Sequence, residues 1–328
     1  MVSTKHTDKA SVIVKDKNFI SRLSGLGPVL ALIVLVIITT IMNRNFLDPN
    51  NLLNLLRQVS INGLIAFGMT FVILTGGIDL SVGAILALTS ALSAMMITSG
   101  VPTVIAMVIG IAIGGLLGGV NGLIITKGGA APFIASLATM TIFRGATYVF
   151  TDGNPITGKV MNNSFMFQFI GRGYFFGIPV PVIIMLIAFL ILFILLHKMT
   201  FGRKTYALGG NEKAAFVSGI KVNLTKTWIY VISGIMSSAA GMILISRLSS
   251  AQPDAGTGFE MDAIAAVVLG GTSLAGGRGR LFGTLIGALI IGTLNNGMNL
   301  IGISSFYQQI VKGIVIIIAV LLDRKKNA

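Results

Sequence analysis

The chain has 328 residues, of which 54% are hydrophobic and only 10% are charged, and its mean hydropathy is +0.91. Soluble domains carry roughly 25% charged residues, so the composition excludes a soluble protein and predicts a chain that crosses the membrane several times. The formal net charge of +14 is therefore attributed to orientation in the bilayer and not to nucleic-acid binding. Cysteine is absent, which excludes disulfides, thiolate metal sites and cysteine nucleophiles.

The first 24 residues are polar and basic and show no small-residue cleavage site after a short apolar core. They are predicted to be a retained cytoplasmic tail, followed by a permease domain at 25–323 and a short cytoplasmic tail at 324–328. A membrane-spanning helix needs about 20 apolar residues. By that criterion we predict an all-α polytopic protein with ten spans, at 26–43, 59–75, 81–98, 102–126, 132–150, 178–197, 226–247, 261–276, 281–301 and 305–322.

The distribution of Lys and Arg predicts the orientation. Seventeen of these residues fall in the segments predicted to face inward and five in those predicted to face outward. Cytoplasmic loops carry an excess of basic residues. Both termini are therefore predicted to be cytoplasmic.

The longest outer segment, 151–177, is punctuated by glycines. Two interpretations remain open for it. It is either a solvated loop with a short interfacial helix through Met161–Ile170, or a docking surface for an external protein.

Two similar glycine-rich motifs occupy the two halves of the chain. They are T-G-G-I-D-L-S-V-G at 75–83 and L-G-G-T-S-L-A-G-G at 269–277. Each follows a short apolar run and leads into a helix rich in small residues. Paired glycine-interrupted spans point to a transport site, although general glycine enrichment also explains so short a similarity.

Polar residues inside spans form a candidate translocation path, because groups that hydrogen-bond are costly in lipid. Asp79 and Ser81 either cap the third helix by accepting its free N–H groups or also line the path. Asn295 and Asn299 share one helix face, and Gln308 and Lys312 stack at a spacing of four. Interhelical hydrogen bonds explain any one of these residues alone. The candidate path residues are Asp79, Ser81, Asn121, Thr141, Asn295, Asn299 and Gln308.

Arg144 is predicted to lie near the outer interface, where it snorkels or pairs. Several chemistries are not predicted. The chain has no G-x-x-x-x-G-K-[ST] motif and hence no phosphate-binding loop of its own. No catalytic set, metal-ligand cluster or cofactor motif is found, and the scarcity of acids within spans disfavours ion coupling.

The basic segment Phe201–Val222, within a cytoplasmic loop at 199–225, interrupts the apolar pattern. Its sequence predicts a short helix from Asn211 to about Ser218, with Asn211 as N-cap and glycines at its limits. Such a helix is suited to insertion into a cleft of a partner protein. The alternative is an inert solvated loop.

Four motifs resemble the sugar permeases of bacterial ATP-binding-cassette importers. They are T-G-G-I-D-L-S-V-G, G-G-N-E-K-A-A-F-V-S-G-I, the run from Ser249 to Gly279, and L-N-N-G-M-N-L-I-G-I, and the resemblance covers about residues 22–323. It implies a homodimer in the bacterial cytoplasmic membrane, an ATP-binding subunit docked inside and a sugar-binding protein outside. The implied coupling residues are Gly209, Gly210, Asn211, Glu212, Ala214, Ala215 and Gly219.

The chain departs from the family pattern at one coupling position, where Lys213 replaces the first alanine of E-A-A. The expected function is that of a permease subunit without ATPase activity, which imports ribose or a related simple sugar. The alternative is a self-sufficient secondary transporter or channel for a small polar solute.

Overall fold

The structure is a computed structural model that describes residues 27–158, 161 and 164–327. The predicted N-terminal tail therefore lies outside the described residues. A 3-10 turn (Arg44–Leu47) follows the first helix. The α-helices are α1 (Gly27–Met42), α2 (Pro49–Leu74), α3 (Val82–Thr98), α4 (Thr103–Thr126), α5 (Pro132–Thr151), α6 (Phe165–Arg172), α7 (Val180–His197), α8 (Thr200–Gly210), α9 (Glu212–Val217), α10 (Val222–Leu248), α11 (Phe259–Leu269), α12 (Leu281–Leu300) and α13 (Ser305–Asn327).

Six of these helices (α2, α4, α5, α7, α10 and α12) are long and apolar enough to cross a membrane, and α1, α3 and α13 contain shorter apolar stretches. This confirms a polytopic helical protein. The chain is not purely helical, however. Strands β1 (Tyr174–Phe175) and β2 (Ile178–Pro179) pair as a small antiparallel hairpin within the outer segment.

Two predicted spans have different limits in the structure. The span at 59–75 begins ten residues earlier, because Asp48 accepts hydrogen bonds from the N–H groups of Asn50 and Asn51 and so caps α2 ahead of Pro49. The span at 261–276 is replaced by the 11-residue helix α11, which begins at Phe259 and ends at Leu269. Beyond Leu269 the chain needs positive φ angles at its glycines, for example +87° at Gly271, which ends the helix.

Helices α2 and α10 form the centre of the fold. Their most apolar windows are 78% and 72% buried, compared with 33% or less for α4, α5 and α7, which therefore face lipid or a partner. Close packing of α10 on α4 depends on small residues: a Cβ at Gly118 would lie 2.1 Å from the carbonyl oxygen of Tyr230. Membrane helices typically pack through such positions.

The outer segment is fastened to the end of α10. The predicted helix through Met161–Ile170 is observed as α6, which begins at Phe165 because Ser164 caps it by accepting from the Phe167 N–H at 3.3 Å. Ser246 donates a hydrogen bond to the carbonyl of Phe167, and Arg172 Nε donates to the carbonyl of Arg247 at 2.8 Å. The segment is thus packed against the helical body.

Candidate translocation and coupling site

Three of the predicted path residues meet at the break between α2 and α3. Asp79 Oδ1 accepts from the Ser81 N–H at 3.0 Å and from the Ser81 hydroxyl at 2.6 Å, and Asp79 Oδ2 accepts from Ser233 Oγ at 2.9 Å. Asn121 Nδ2 donates to Ser81 Oγ at 2.6 Å. We call Asp79, Ser81, Asn121 and Ser233 the Asp79 cluster. All four are fully buried, so the cluster ties the break to α4 and α10.

The capping interpretation holds only in part. Ser81 does occupy the N-cap position of α3, but its side chain makes no capping hydrogen bond. The Asp79 carboxylate accepts from Ser81 itself and from α10, rather than from the free N–H groups of the first turn. The break is therefore held by side chains of other helices.

A second polar group lies between α12 and its neighbours. Asn295 and Asn299 share one face, as predicted, and Asn299 Oδ1 accepts from Gln308 Nε2 at 2.7 Å. Asn296 points elsewhere and exchanges two hydrogen bonds with Asn51 of α2, at 3.0 and 2.9 Å. The buried Oδ1 of Asn295 has no hydrogen-bond partner among the described residues.

An ion pair joins α13 to α11. Lys312 Nζ lies 2.9 Å from Asp262 Oδ2, and the Asp262 side chain is only 5% exposed. Gln308 and Lys312 are one turn apart, yet they contact α12 and α11 respectively. The structure therefore places two predicted polar positions of α13 against two different helices.

Thr141 is not brought together with the other candidates. Its side chain is exposed, and its hydroxyl donates to the carbonyl of Leu137, one turn earlier in α5, at 3.1 Å. A contact with the Asp79 cluster is not seen in the described part of the chain.

The predicted short helix in the cytoplasmic segment is α9. Asn211 Oδ1 accepts from the Ala214 N–H at 3.0 Å, so Asn211 is the N-cap as predicted. Gly219, with φ of +82°, follows the helix. Ala215 is buried, whereas Phe216 and Val217 are 71% and 84% exposed. The segment is thus a packed helix with an exposed apolar end.

Glu212 has a partner within the chain. Its Oε2 lies 2.6 Å from Nζ of Lys226, which belongs to the first turns of α10. Lys213 and Ala214 are exposed beside it, so the Lys213 departure from the family pattern places no charge in the interior.

The second glycine motif and Leu74, which directly precedes the first motif, meet the coupling segment at one point. The N–H of Gly277 donates to the carbonyl of Leu74 at 2.9 Å. A Cβ at Gly209 would lie 1.8 Å from that carbonyl oxygen and 2.4 Å from the Gly277 nitrogen. We call this backbone contact, formed by Leu74, Gly209 and Gly277, the glycine junction. It joins the end of α2, the loop after α11 and the end of α8.

Tyr206 strengthens the same contact. Its hydroxyl donates to the carbonyl of Gly279 at 2.9 Å. Burial raises the pKa of this phenol above its ordinary value, so the hydroxyl keeps the proton that it donates. Sequence reasoning missed this residue because nothing local distinguishes it.

Arg144, predicted to snorkel or pair, contacts the run from Ser249 to Gly279, although this contact was not predicted. Its Nη1 donates to the carbonyls of Pro253 and Ala255, at 2.9 and 2.7 Å. The sequence could have indicated this contact through the arginine itself, because a charged side chain inside a span requires polar partners.

The similarity of the chain to known proteins agrees with this arrangement. A family model described as branched-chain amino acid transport system / permease component matches residues 51–320. The chain is 68% identical to the ribose import permease protein of Bacillus subtilis (strain 168), over 98% of this chain and 99% of that protein. Identity is 52% to the ribose import permease protein of Escherichia coli K12, over 91% of this chain and 93% of that protein.

The chain is also similar to a permease protein whose name gives a different sugar. The D-allose transport system permease protein of Escherichia coli K12 is 46% identical over 89% of each chain. No solved structure matches this chain. The family match covers well over half of the sequence, and the chain therefore belongs to the family of branched-chain amino acid transport system permease components.

Proposed function

We propose that this chain is the membrane permease subunit of an ATP-driven importer for ribose or a related simple sugar, in the bacterial cytoplasmic membrane. The observation that carries the mechanism is the glycine junction, which connects the end of α8, directly before α9, to both helix breaks. The choice of sugar rests on the 68% identical ribose import permease protein.

The proposal includes three protein partners. A cytoplasmic ATP-binding subunit supplies the energy, an extracytoplasmic sugar-binding protein delivers the sugar, and a second copy of this chain completes the membrane unit. Ten spans with both termini in the cytoplasm agree with the excess of basic residues in the predicted inner segments. The outer segment around α6 and the β-hairpin is the proposed surface for the binding protein.

Helix α9 is the proposed docking element for the ATP-binding subunit. Phe216 and Val217 expose apolar surface outside the spans, and exposed apolar patches mark protein contacts. The implied coupling residues lie at or next to this helix. Glu212 is proposed to act by holding the helix to Lys226, rather than by entering the partner's cleft.

Movement of α9 reaches the membrane by two routes. Ala215 packs in a small apolar cluster with Leu208 and Val222, and so connects α9 to the ends of α8 and α10. Helix α10 carries Ser233 of the Asp79 cluster, and α8 carries Gly209 of the glycine junction. Closure of the ATP-binding subunits is thus proposed to shift both breaks together and to switch the path between outward-open and inward-open states.

The proposed path residues are those predicted from the sequence. The Asp79 cluster and the polar residues of α12 and α13 offer hydrogen-bonding groups within the spans, which a polyhydroxylated solute needs. The Asp79 cluster is closed in this structure. Its proposed role therefore requires the break to open during the cycle.

Reconstitution into proteoliposomes tests the function. Vesicles containing this chain, its ATP-binding subunit and its binding protein are expected to accumulate labelled ribose only with ATP inside. Vesicles lacking the ATP-binding subunit are the control. Uptake that persists without ATP and collapses with a protonophore would contradict the proposal.

One observation favours the alternative of a secondary transporter or channel. The Asp262–Lys312 pair places charges inside spans, as ion-coupled carriers do. The same vesicles decide between the two, because movement of solute through this chain alone, down its gradient, is expected only for the alternative.

A further inference from the structure

The segment between α10 and α11 enters the membrane-embedded body instead of crossing the outer surface. Ala251 begins it, exchanging two hydrogen bonds of 3.0 Å with Ile156 of the outer segment. By Gly256 it lies against Gly83 near the start of α3, where an added Cβ would be 2.3 Å from the Gly256 carbonyl oxygen. We call residues 251–258 the re-entrant segment.

Helix geometry gives the depth that this segment reaches. Gly83 is about 22 Å along α3 from Thr98, at 1.5 Å per residue, and Thr98 lies next to Gly158 of the outer segment. The hydrocarbon core is about 30 Å thick. Arg144, which holds the carbonyls of Pro253 and Ala255, is likewise about 10 Å from the outer end of α5. Residues 253–256 of the segment therefore lie within the depth of the hydrocarbon core.

The sequence explains why this stretch is not a helix. Pro253 has no N–H to donate, and Gly256 and Gly258 adopt φ angles of +72° and +84°. Irregular backbone at membrane depth is tolerated only where it is buried in protein or lines a water-filled cavity. The side chains of the segment show which of these two conditions applies.

Several polar side chains in and beside the re-entrant segment are exposed on the surface of the chain at that depth. Asp254 and Thr257 are exposed, and Arg144 and Glu260 are partly exposed. The Thr257 hydroxyl donates to the Asp254 carbonyl at 2.6 Å, and Glu260 Oε1 accepts from the Gly258 N–H at 3.2 Å. A carboxylate facing lipid at this depth would cost roughly 2.5–3.5 kcal/mol on insertion scales. These side chains therefore do not face lipid.

We propose that the re-entrant segment, together with Arg144 and Glu260, forms the wall of the sugar path inside the membrane. This inference rests on the proposed function and adds the surface that the sugar touches. Carboxylates accept hydrogen bonds from sugar hydroxyls, and the guanidinium of Arg144 donates to their oxygens. Arg144 is a positioning residue as well, because it fixes two carbonyls of the segment.

The pairing of charges supports the same assignment. Asp262 forms an ion pair with Lys312. Glu260 and Asp254 belong to neither of the two ion pairs found among the described residues. Arg144 is close enough to Glu260 and Asp254 for electrostatic attraction. A neutral polyol can pass such a surface without displacing a tight ion pair.

The absence of cysteine makes the test direct, since any introduced thiol is unique in this chain. Thr257→Cys and Asp254→Cys are made in the full complex in proteoliposomes and treated with a charged methanethiosulfonate reagent. Val108→Cys is the control, because Val108 of α4 is 60% exposed in an apolar groove. Thr257→Cys and Asp254→Cys are expected to react at least tenfold faster than Val108→Cys.

The adduct is also expected to lower ATP-driven ribose uptake by at least tenfold, and dithiothreitol is expected to restore it. Reaction of both variants as slow as that of Val108→Cys, or full modification with unchanged uptake, would overturn the inference. Because the labelling rate does not depend on which solute moves, this result is distinguishable from failure of the parental complex to transport ribose.

Discussion

Asp79 accepts three hydrogen bonds in a site that is fully buried. In Asp79→Ala, the donors on Ser81 and Ser233 lose their acceptor. An unsatisfied buried polar group costs about 1–3 kcal/mol, so we expect a loss of about 2–4 kcal/mol in the free energy of unfolding. Denaturant unfolding of the purified chain in detergent measures this loss.

Ser90→Ala is the matched control for Asp79→Ala. Its hydroxyl is also fully buried but has no hydrogen-bond partner among the described residues. Removing it is expected to leave stability unchanged or slightly raised. Equal stability of Asp79→Ala and Ser90→Ala would mean that the Asp79 cluster does not hold the break.

Sequence reasoning identified Asp79 and Ser81 because a carboxylate beside a glycine pair interrupts an apolar run. It proposed Asn121 only as a polar residue within a span, and it missed Ser233. These two residues contact the break across gaps of 40 and 154 positions. Such contacts depend on how α4 and α10 pack against the break, and this packing cannot be predicted from a local sequence pattern.

At the scale of elements, the glycine junction can be tested by comparing alanine substitutions at two neighbouring glycines of α8. Gly209→Ala would place a methyl group 1.8 Å from the Leu74 carbonyl oxygen, whereas Gly210→Ala meets nothing within 4 Å. Gly209→Ala is expected to lower ATP-driven uptake at least tenfold because α8 must move away from the breaks. Gly210→Ala should retain much more uptake than Gly209→Ala, because its added methyl group displaces nothing in the chain.

Uptake and surface abundance are measured for both variants in the same vesicles. If Gly209→Ala transports as well as Gly210→Ala at equal abundance, the junction does not carry the movement. A parallel loss in both variants would instead indicate that the end of α8 contacts the ATP-binding subunit.

The contact between α9 and α10 predicts the result of a charge exchange. Glu212→Lys and Lys226→Glu each place like charges together and are expected to reduce coupled uptake. A partly exposed ion pair contributes at most about 1 kcal/mol, or about fivefold. The double variant Glu212→Lys/Lys226→Glu should recover most of this loss, measured as ribose uptake per ATP hydrolysed.

Failure of the double variant to improve on Glu212→Lys would place Glu212 in contact with the ATP-binding subunit, as the family pattern implies. Glu212→Ala is likewise expected to reduce transport while the binding protein keeps its affinity for sugar. Sequence reasoning found α9 and its cap because both are local, but it missed Lys226, which lies 14 positions away.

At the scale of the whole molecule, apolar length predicted most of the helices. It failed at 261–276, where composition is apolar but the glycines force positive φ angles and end α11. It also failed at 251–258, because the re-entrant segment is too short and too polar to resemble a span. The excess of inward basic residues predicts the orientation.

The most direct test of the central claim is the side of the membrane on which α9 lies. Lys213 is exposed on this helix, and Lys213→Cys is unique because the native chain has no cysteine. An impermeant thiol reagent is expected to label it in inside-out vesicles only, and the bound ATP-binding subunit should slow the reaction. Labelling of Lys213→Cys from the outside of intact cells would contradict a permease driven from the cytoplasm.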